Sequence, residues 1–238
     1  VGHRPAGAVT ARPRAGEGQP AHPDLPDWAR QAAPRPVYPP RPLAPSAIGA
    51  DEVADPPPPG PAMQLAAERG KLMHALFERL PPLASDQRRA AADLWLRARG
   101  VADVAAVIDP VLAVLEDARF ADLFGPQALA EVPVSATLPN GRVVAGTIDR
   151  VLIADGVIRV IDYKTGRQVP RDATEVPAYH LAQMAAYHGA LEAIVPGARV
   201  EAALLYTAGP TLIVLTEGQI AAAKVRFAAA EQSLSVDG

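Results

Sequence analysis

The sequence predicts one α/β domain with a mixed β-sheet, preceded by a proline-rich arm. Its 238 residues, 49% of them hydrophobic, suffice for one sizeable core. Apolar residues recur at helical spacing in the first part of the domain and give way near residue 129 to a strand-like pattern. Helical and strand-like segments then intermix up to the C-terminus, as they do in a single layered domain.

The arm is defined by its proline content. Of the 26 prolines, 15 lie in residues 1–60, and proline blocks both helix interiors and sheet ladders. We therefore interpret residues 1–60 as a linker or arm and residues 61–238 as the folded domain. Four apolar residues of the arm could dock on a neighbouring surface, the alternative being partial disorder: Trp28, Val37, Tyr38 and Leu43.

The periodicity predicts the elements of the domain in order. The first helix is indicated by six apolar residues at helical spacing: Leu65, Leu72, Met73, Leu76, Phe77 and Leu80. The predicted helices span residues 64–80, 86–99, 104–118, 178–194 and 217–232. The predicted strands span residues 131–138, 142–154, 157–164, 199–207 and 211–215.

Composition narrows the class of protein. No run of about 18 apolar residues occurs, and no basic start with an apolar stretch marks a secretory signal, so we expect a cytoplasmic protein without a membrane partner. The absence of cysteine excludes disulfides, thiolate zinc sites and iron–sulfur clusters held by sulfur. A metal would therefore sit on carboxylates, histidine, carbonyls or water. The net charge of −3 indicates that the chain does not hold nucleic acid by bulk charge alone.

Three further features bear on the organisation of the chain. It starts at Val1 rather than Met, which suggests a fragment or a processed chain. No Gly-x-x-x-x-Gly-Lys-Ser/Thr loop occurs, so ATP binding would belong to another part of the polypeptide. The basic residues are 20 Arg and only 3 Lys, which draws attention to any lysine in a candidate site.

The Asp155-Gly156 pair predicts a two-residue hairpin turn, because both central positions of such a turn favour positive φ. If the flanking residues pair, Asp149 faces Asp162 and Thr147 faces Lys164 on one face of the ladder. Ile148 would then lie on the opposite face.

Two carboxylates directly across a ladder repel each other, so something must compensate their charge. A divalent cation such as Mg²⁺ would bridge Asp149 and Asp162, and its remaining shell would take water and substrate phosphate. The amine of Lys164 could orient an attacking water and neutralise charge growing on a phosphate. The plainer interpretation is that all three are solvated strand-end residues, and a bulge would shift the pairing.

Asn140-Gly141 predicts a second two-residue turn. Its register sets Glu131 against Arg150. We favour a cross-strand ion pair over a catalytic role for Glu131.

Four motifs in order resemble the RecB-like branch of the PD-(D/E)XK nucleases. They are Gly70-x-x-x-His74, Gly146-Thr147-Ile148-Asp149-Arg150, Val160-Ile161-Asp162-Tyr163-Lys164-Thr165 and Gln183-Met184-Ala185-Ala186-Tyr187. Their order and spacing are similar to that branch over about residues 62–235, and most of all to the C-terminal nuclease domain of AddA subunits of AddAB helicase-nucleases. The second acid is Asp162 where many members have Glu, which shortens the arm by a methylene.

The resemblance implies a restriction-endonuclease-like mixed β-sheet flanked by helices. It implies that Asp149, Asp162 and Lys164 are catalytic. Mg²⁺, with Mn²⁺ as a substitute, would be held by His74, Asp149, Asp162 and the Tyr163 backbone carbonyl. Gln183 and Tyr187, four residues apart on one helix face, would steady the substrate or Lys164. Taken alone, His74 would more commonly be a core histidine, and Gln183 and Tyr187 boundary residues of a helix.

The resemblance also implies a function. The chain would be the exonuclease domain of a helicase-nuclease in double-strand-break repair by homologous recombination, hydrolysing phosphodiesters of single-stranded DNA fed by the helicase. The helicase portion would belong to the same polypeptide, and an AddB-like second subunit would be the partner. The alternative is a catalytically inactive nuclease-fold module that holds DNA or scaffolds the complex. A stand-alone nuclease of the CRISPR-associated type is disfavoured by the missing cysteines.

Overall fold

Five strands form one mixed sheet with the order β1-β2-β3-β4-β5 in the part of the chain that the computed structural model describes. That part is residues 42–48 and 60–232, with side chains as far as residue 226. The strands are β1 (Ala128–Thr137), β2 (Val143–Ala154), β3 (Val157–Lys164), β4 (Arg199–Tyr206) and β5 (Thr211–Val214). Strands β3 and β4 run parallel, and the other neighbours are antiparallel.

Helices cover both faces of the sheet. They are α1 (Pro61–Arg79), α2 (Ser85–Arg97), α3 (Ala105–Leu115), α4 (Ala178–Ile194) and α5 (Glu217–Gln232). Helices α1 to α3 share a core with Leu152, Ile161 and Leu205 of the sheet. Helices α4 and α5 share the other core with sheet residues that include Val151 and Val160. The predicted mixed sheet flanked by helices is confirmed, and the predicted order of elements holds with bounds that differ by a few residues.

Helix α1 is fastened to the sheet by a buried guanidinium. The helix begins at Pro61, where a missing N–H costs nothing because the first turn has no intrahelical acceptor. At its other end the Arg150 Nη2 donates to the Phe77 carbonyl at 2.7 Å, and the Arg150 Nε donates to the Tyr163 hydroxyl at 2.7 Å. One side chain therefore joins α1, β2 and β3.

No helix among the described residues is both long and apolar enough to cross a membrane.

The β2–β3 hairpin has the predicted turn and, near the turn, the predicted register. Asp155 and Gly156 take φ values of 51° and 73°. The strands pair from Ala154↔Val157 to Arg150↔Ile161. The prediction for Ile148 was wrong, because Ile148 packs in the same core as Val151. The alternation of side chains between the two faces of the sheet is therefore interrupted in β2 near Asp149.

The predicted β1–β2 register was wrong by one residue. The loop has three residues rather than two, because the Leu138 N–H donates to the Arg142 carbonyl at 2.7 Å. Gly141 takes the left-handed position with φ 83°, as in common three-residue hairpin loops. Ala130, not Glu131, therefore pairs with Arg150. Glu131 comes to lie across from Asp149.

Part of the arm contacts the sheet. Leu43 forms a parallel bridge with Val144: its N–H donates to the Val143 carbonyl at 2.8 Å, and its carbonyl accepts from the Ala145 N–H at 2.9 Å. The predicted docking residues Trp28, Val37 and Tyr38 lie outside the described residues. The division of the chain at residue 60 stays a prediction.

Candidate active site

Strands β2 and β3 separate at the end that carries the predicted acids. Among the described residues, no β2–β3 ladder pair lies beyond Arg150↔Ile161. Further along β2, on the side away from β1, the bridge partner is Leu43 of the arm. A short stretch of β2 up to Asp149 therefore faces the end of β3 without a regular ladder, which leaves room for side chains between the strands.

The Asp149 carboxylate occupies this gap. Its Oδ2 accepts from the Tyr163 backbone N–H at 2.7 Å, and its Oδ1 lies 3.1 Å from the His74 Nδ1. A side chain thus replaces the backbone acceptor that a continued ladder would supply. Since the N–H and C=O of one strand residue point to the same neighbouring strand, the Tyr163 carbonyl also faces this gap.

Asp162, Lys164 and Gln183 form a closed triangle of polar contacts. The Lys164 Nζ lies 2.8 Å from the Asp162 Oδ2 and donates to the Gln183 Oε1 at 2.6 Å. The Gln183 Nε2 donates to the Asp162 Oδ1 at 2.7 Å. Asp162 is only 4% exposed, so its charge needs these partners. The amide of Gln183 therefore fixes the acid and the amine relative to each other.

Tyr187 contacts the backbone of β2. Its hydroxyl donates to the Thr147 carbonyl at 2.6 Å. A Cβ on residue 146 would lie 3.5 Å from the Tyr187 ring and 2.9 Å from the Pro45 Cδ. Gly146 is thus the residue that lets α4 and the arm approach β2 together.

His74 reaches the site because α1 passes close to β3. A Cβ on residue 70 would lie 2.8 Å from the Thr165 Oγ1, so glycine permits this approach. One turn further along, the His74 ring contacts the edge of the Tyr163 ring with centroids 5.4 Å apart. The two predicted residues therefore have linked roles. Glycine at residue 70 allows α1 to lie close to the end of β3, and His74, one turn later, then contacts Asp149.

Glu131 is the site residue that our sequence prediction set aside. One ligand atom each from His74, Glu131 and Asp149 lies within 4.8 Å of the others. Glu131 takes φ 49°, a left-handed conformation that is uncommon outside glycine. The signal that could have identified it is the three-residue loop Pro139-Asn140-Gly141, which moves Glu131 opposite Asp149.

The pKa values of three residues of the site are raised, in part by negative charge that favours the binding of a cation. Burial, followed by the charge of Asp149, raises the pKa of Asp162 to about 6 against the opposing effect of Lys164. Burial and the charge of Asp149 also raise the pKa of Glu131. Burial of His74 lowers its pKa, but its hydrogen bond to Asp149 and the surrounding carboxylates outweigh burial and leave the pKa raised. The negative charge of Asp149 contributes to all three shifts, and a bound cation would relieve that contribution.

The donor set fits a hard divalent cation. Glu131 and Asp149 offer carboxylate oxygens, the Tyr163 carbonyl faces the same gap, and His74 adds one nitrogen. Oxygen donors of this kind suit Mg²⁺ and Mn²⁺. Asp162 flanks the cluster, with its oxygens engaged by Lys164 and Gln183.

Two open cavities flank the site and meet at Thr165. One, of about 690 Å³, is lined by Gly70, His74 and Glu131, and the other, of about 650 Å³, is lined by Lys164 and Tyr179. The acid cluster and the lysine are therefore both reachable by a ligand larger than an ion.

Of the two histidines on α4, His180 and His188, one is structural. The His188 Nε2 lies 3.1 Å from the Val200 carbonyl, and the Lys224 Nζ lies 3.0 Å from the His188 Nδ1. His188 therefore ties α4 to β4 and α5. His180 instead lines the cavity beside Lys164.

A mixed sheet that holds an acid, a second acid and a lysine at its separated strand ends has the form of a metal-dependent nuclease. Comparison with known proteins agrees, since the model of the PD-(D/E)XK nuclease superfamily matches residues 50–235. The chain belongs to the PD-(D/E)XK nuclease superfamily, and its fold is restriction-endonuclease-like. The match is at superfamily level and singles out no branch.

Other comparisons add little. No curated protein matches. The crystal structure of SSO0001 is similar at 17% identity over 75% of this chain and 88% of that chain, with a TM-score of 0.31. The family membership therefore comes from the superfamily match alone.

Proposed function

We propose that the chain is a Mg²⁺-dependent DNA nuclease that hydrolyses phosphodiesters of single-stranded DNA. The observation that carries the proposal is the meeting of two groups at the separated ends of β2 and β3. One is the cluster of His74, Glu131 and Asp149, and the other is the ammonium of Lys164 held by Asp162 and Gln183. A module that only binds DNA has no need to keep these acids close together beside a buried amine.

The proposed roles divide between the two groups. Asp149, Asp162, Glu131, His74 and the Tyr163 carbonyl are the candidate metal ligands. When bound, a divalent cation supplies charge that stabilises the attacking and leaving oxygens of the phosphodiester. The repulsion that helps to raise the pKa values of Asp162 and Glu131 gives these residues a reason to bind it.

Lys164 acts on the water and the phosphate. Its side chain is 14% exposed, so one side of the ammonium reaches the cavity while Asp162 and Gln183 hold the other. In this position the ammonium donates to the attacking water and to a phosphate oxygen as negative charge grows there. As the water oxygen bonds to phosphorus, the water gives up a proton to bulk water, and as the bond to the leaving oxygen breaks, that oxygen takes up a proton, so no covalent enzyme intermediate is needed.

The wider setting is part of the proposal. We infer a role as the exonuclease domain of a helicase-nuclease akin to AddA, with an ATP-binding helicase portion in the same polypeptide and an AddB-like second subunit, in double-strand-break repair by homologous recombination in the cytoplasm. The four motifs in order support it. A proline-rich segment also precedes the nuclease domain in the AddA subunits that the chain resembles, and the missing cysteines fit AddA rather than AddB, which carries a cysteine-held cluster. The net charge of −3 fits a nuclease whose DNA is delivered by another domain.

The test is cleavage of labelled single-stranded and duplex DNA by the purified chain, with chelator and with increasing Mg²⁺ or Mn²⁺. We expect cleavage only with the metal and a preference for single strands. Glu131→Gln should reduce both metal affinity and cleavage. Glu78→Gln, an acid that lines the same cavity outside the cluster, should change neither.

The inactive-module alternative makes the opposite prediction. An inactive module would bind DNA with and without divalent metal and would cut neither substrate at any metal concentration. Binding without cleavage by the chain, both alone and joined to its helicase portion, would overturn the proposed activity.

A further inference from the structure

The cavity of about 650 Å³ beside Lys164 lies on the far side of Thr165 from the acid cluster. Its volume falls in the range of about 300–1,000 Å³ typical of pockets that hold small organic groups. His74, Glu131 and Asp149 do not line it, and the proposed chemistry uses only its Lys164 side. Its walls come from the end of β3, the loop that follows and the first turn of α4.

An exposed aromatic ring forms part of this wall. Tyr179 is 51% exposed, although it sits in the first turn of a helix whose following residues are largely buried. Its ring meets the His180 ring edge-on with centroids 4.2 Å apart. The Tyr206 hydroxyl lies 3.4 Å from the His180 Nδ1. Core packing does not require the Tyr179 ring, and His180 holds it in place.

The charges of the cavity suit a phosphate-bearing ligand. Arg167 lines it, as does Lys164, whose ammonium is paired with Asp162, and the acid on its rim, Glu175, is engaged by the Arg171 guanidinium. His180 is uncharged at neutral pH, because burial and the charge of Lys164 lower its pKa to about 3. The cavity therefore offers positive charge next to an aromatic face, the combination that single-stranded nucleic acids bind.

Tyr179 also lies on the same face of α4 as a residue of the candidate active site. It lies four residues before Gln183 on α4, so both side chains project from one helix face. Gln183 holds Lys164, where the proposed function puts the phosphate. A nucleotide whose phosphate contacts Lys164 would thus have its base within reach of Tyr179.

We infer that this cavity binds one unpaired nucleobase of the substrate strand, stacked on Tyr179, next to the phosphate contacted by Lys164. The inference rests on the proposed nuclease function and extends it. A base inside a duplex is covered on both faces by its neighbours and cannot stack on a protein ring without leaving the helix. The cavity would therefore make single-stranded DNA the preferred substrate independently of any helicase.

The first test changes the DNA and leaves the protein unaltered. A single abasic site is moved along a labelled single strand, and kcat/KM with Mg²⁺ and anisotropy binding with chelator are measured at each position. We expect one position to reduce both by about 10- to 100-fold, the scale of one lost base–aromatic stack. A flat scan in both assays would overturn the inference.

The second test changes Tyr179. Tyr179→Phe keeps the ring and should bind and cut within a few-fold of wild type, whereas Tyr179→Leu should lose about as much as the abasic site does. At the position where an abasic site weakens wild type, the same abasic site should reduce binding and kcat/KM of Tyr179→Leu hardly further, because the two changes remove the same contact. Additive losses would show that the base does not stack on Tyr179.

The outcomes separate this inference from the proposed function. Cleavage with a flat abasic scan would leave a nuclease without the base site. Position-dependent binding without any cleavage would keep the base site and defeat the nuclease proposal. Thermal melting of Tyr179→Leu checks its fold, and the abasic scan on the unaltered protein does not depend on any variant folding.

Discussion

Lys164 sits where the shape of the cation matters as well as its charge. Its Nζ is held at 2.8 Å from the Asp162 Oδ2 and 2.6 Å from the Gln183 Oε1, in a side chain that is 14% exposed. The planar guanidinium of arginine is wider and places its donors differently. We expect Lys164→Arg to keep metal binding yet lose cleavage by on the order of 100-fold, the scale of one misplaced transition-state donor.

The measurement is single-turnover cleavage at saturating Mg²⁺, with metal affinity followed by thermal shift. Arg167→Lys is the control. It exchanges the same two residue types in the opposite direction, in a residue that lines the same cavity, and should have little effect on cleavage. Cleavage by Lys164→Arg at the wild-type rate would show that only positive charge is needed.

Asp149 has opposite effects on stability with and without metal. Its charge helps to raise the pKa of both Asp162 and Glu131, so it repels them in the folded state. In Asp149→Asn the side-chain oxygen can still accept from the Tyr163 N–H. With chelator we expect the variant to be as stable as wild type or more so, by on the order of 1 kcal/mol. With Mg²⁺ only wild type should gain melting temperature.

Thermal melting of both proteins in the two buffers checks this prediction. Asp155→Asn is the control, because it makes the same acid-to-amide change at the turn of the same hairpin, in a left-handed position that asparagine tolerates. A melting temperature for Asp149→Asn several degrees below wild type in chelator would show that hydrogen bonding at this carboxylate outweighs repulsion.

The pH dependence of the metal-free protein follows from three raised pKa values. Asp162, with a pKa raised to about 6, and Glu131, also raised, take up protons in the folded state before they do when unfolded. His74, whose pKa is raised, likewise binds its proton more tightly when folded. All three therefore add stability as the pH falls from about 7.5 to about 5.5.

Over the same interval His180, with a pKa lowered to about 3, and His188, with a lowered pKa, lose stability, because the unfolded chain takes up their protons first. The comparison is therefore with Asp162→Asn: in chelator the melting temperature of wild type should rise relative to that of the variant as the pH falls, by on the order of a few degrees. Acids with lowered pKa values, such as Asp117 and Asp172, lose stability only at lower pH, below the interval. With Mg²⁺ the trend should reverse, since protons compete with the metal. A fall in the melting temperature of wild type relative to Asp162→Asn in chelator would contradict the raised pKa of Asp162.

At the scale of elements, the distance between α1 and β3 controls the site. Alanine in place of glycine normally stabilises a helix interior by about 1 kcal/mol. At residue 70, however, the new Cβ would lie 2.8 Å from the Thr165 Oγ1, so either the Thr165 side chain or α1 must move. A shift of α1 would carry His74 away from Asp149. We expect Gly70→Ala to fold but to weaken Mg²⁺ binding by on the order of 10-fold.

A double-mutant cycle with Thr165→Ala isolates this cause. The Thr165 Cβ would be 3.9 Å from the new methyl, an ordinary contact, so the double variant should bind Mg²⁺ as well as Thr165→Ala alone does. Gly189→Ala in α4, where the nearest atom would be 3.4 Å away, should leave metal affinity unchanged. Persistent weak binding in the double variant would refute the steric explanation.

The two hairpins show how far turn chemistry determines a register. Asp155-Gly156 is flanked by apolar residues that pair directly, and the register near this turn was predicted correctly. Asn140-Gly141 is preceded by Pro139, and the loop closes one residue earlier at Leu138. A two-residue and a three-residue loop differ little in local energy, so tertiary packing of β1 decides between them.

At the scale of the whole molecule, the charge distribution limits DNA binding. The net charge is −3, and two buried acids lie beside the lysine of the site. We expect the chain alone to bind single-stranded DNA no more tightly than roughly micromolar at physiological salt, with affinity that falls further as salt rises. Cleavage should be faster when the chain is joined to a helicase that delivers the strand.

Titration of labelled oligonucleotides by anisotropy at several salt concentrations checks this expectation. Nanomolar binding that resists salt would contradict it. Such a result would also remove the physical reason for expecting a delivering domain.

The sequence by itself determined the helices and strands, their order, and the candidate residues Asp149 on β2 and Asp162 and Lys164 on β3. These depend on interactions between residues close in the chain: the helical spacing of Leu72 and Leu76, the turn at Asp155-Gly156, and the two-residue step from Asp162 to Lys164. Resemblance to known nucleases added His74, Gln183 and Tyr187, which spacing alone would not have selected.

Only the tertiary structure decided which side chains meet. His74 and Asp149 are 75 residues apart in the chain, and Lys164 and Gln183 are 19 apart on different elements. Glu131 joins His74 because of a loop one residue longer than predicted, and Tyr179 became notable only through the cavity beside it. Local patterns carry no record of these contacts, because their energies depend on helices and strands packed from distant parts of the chain.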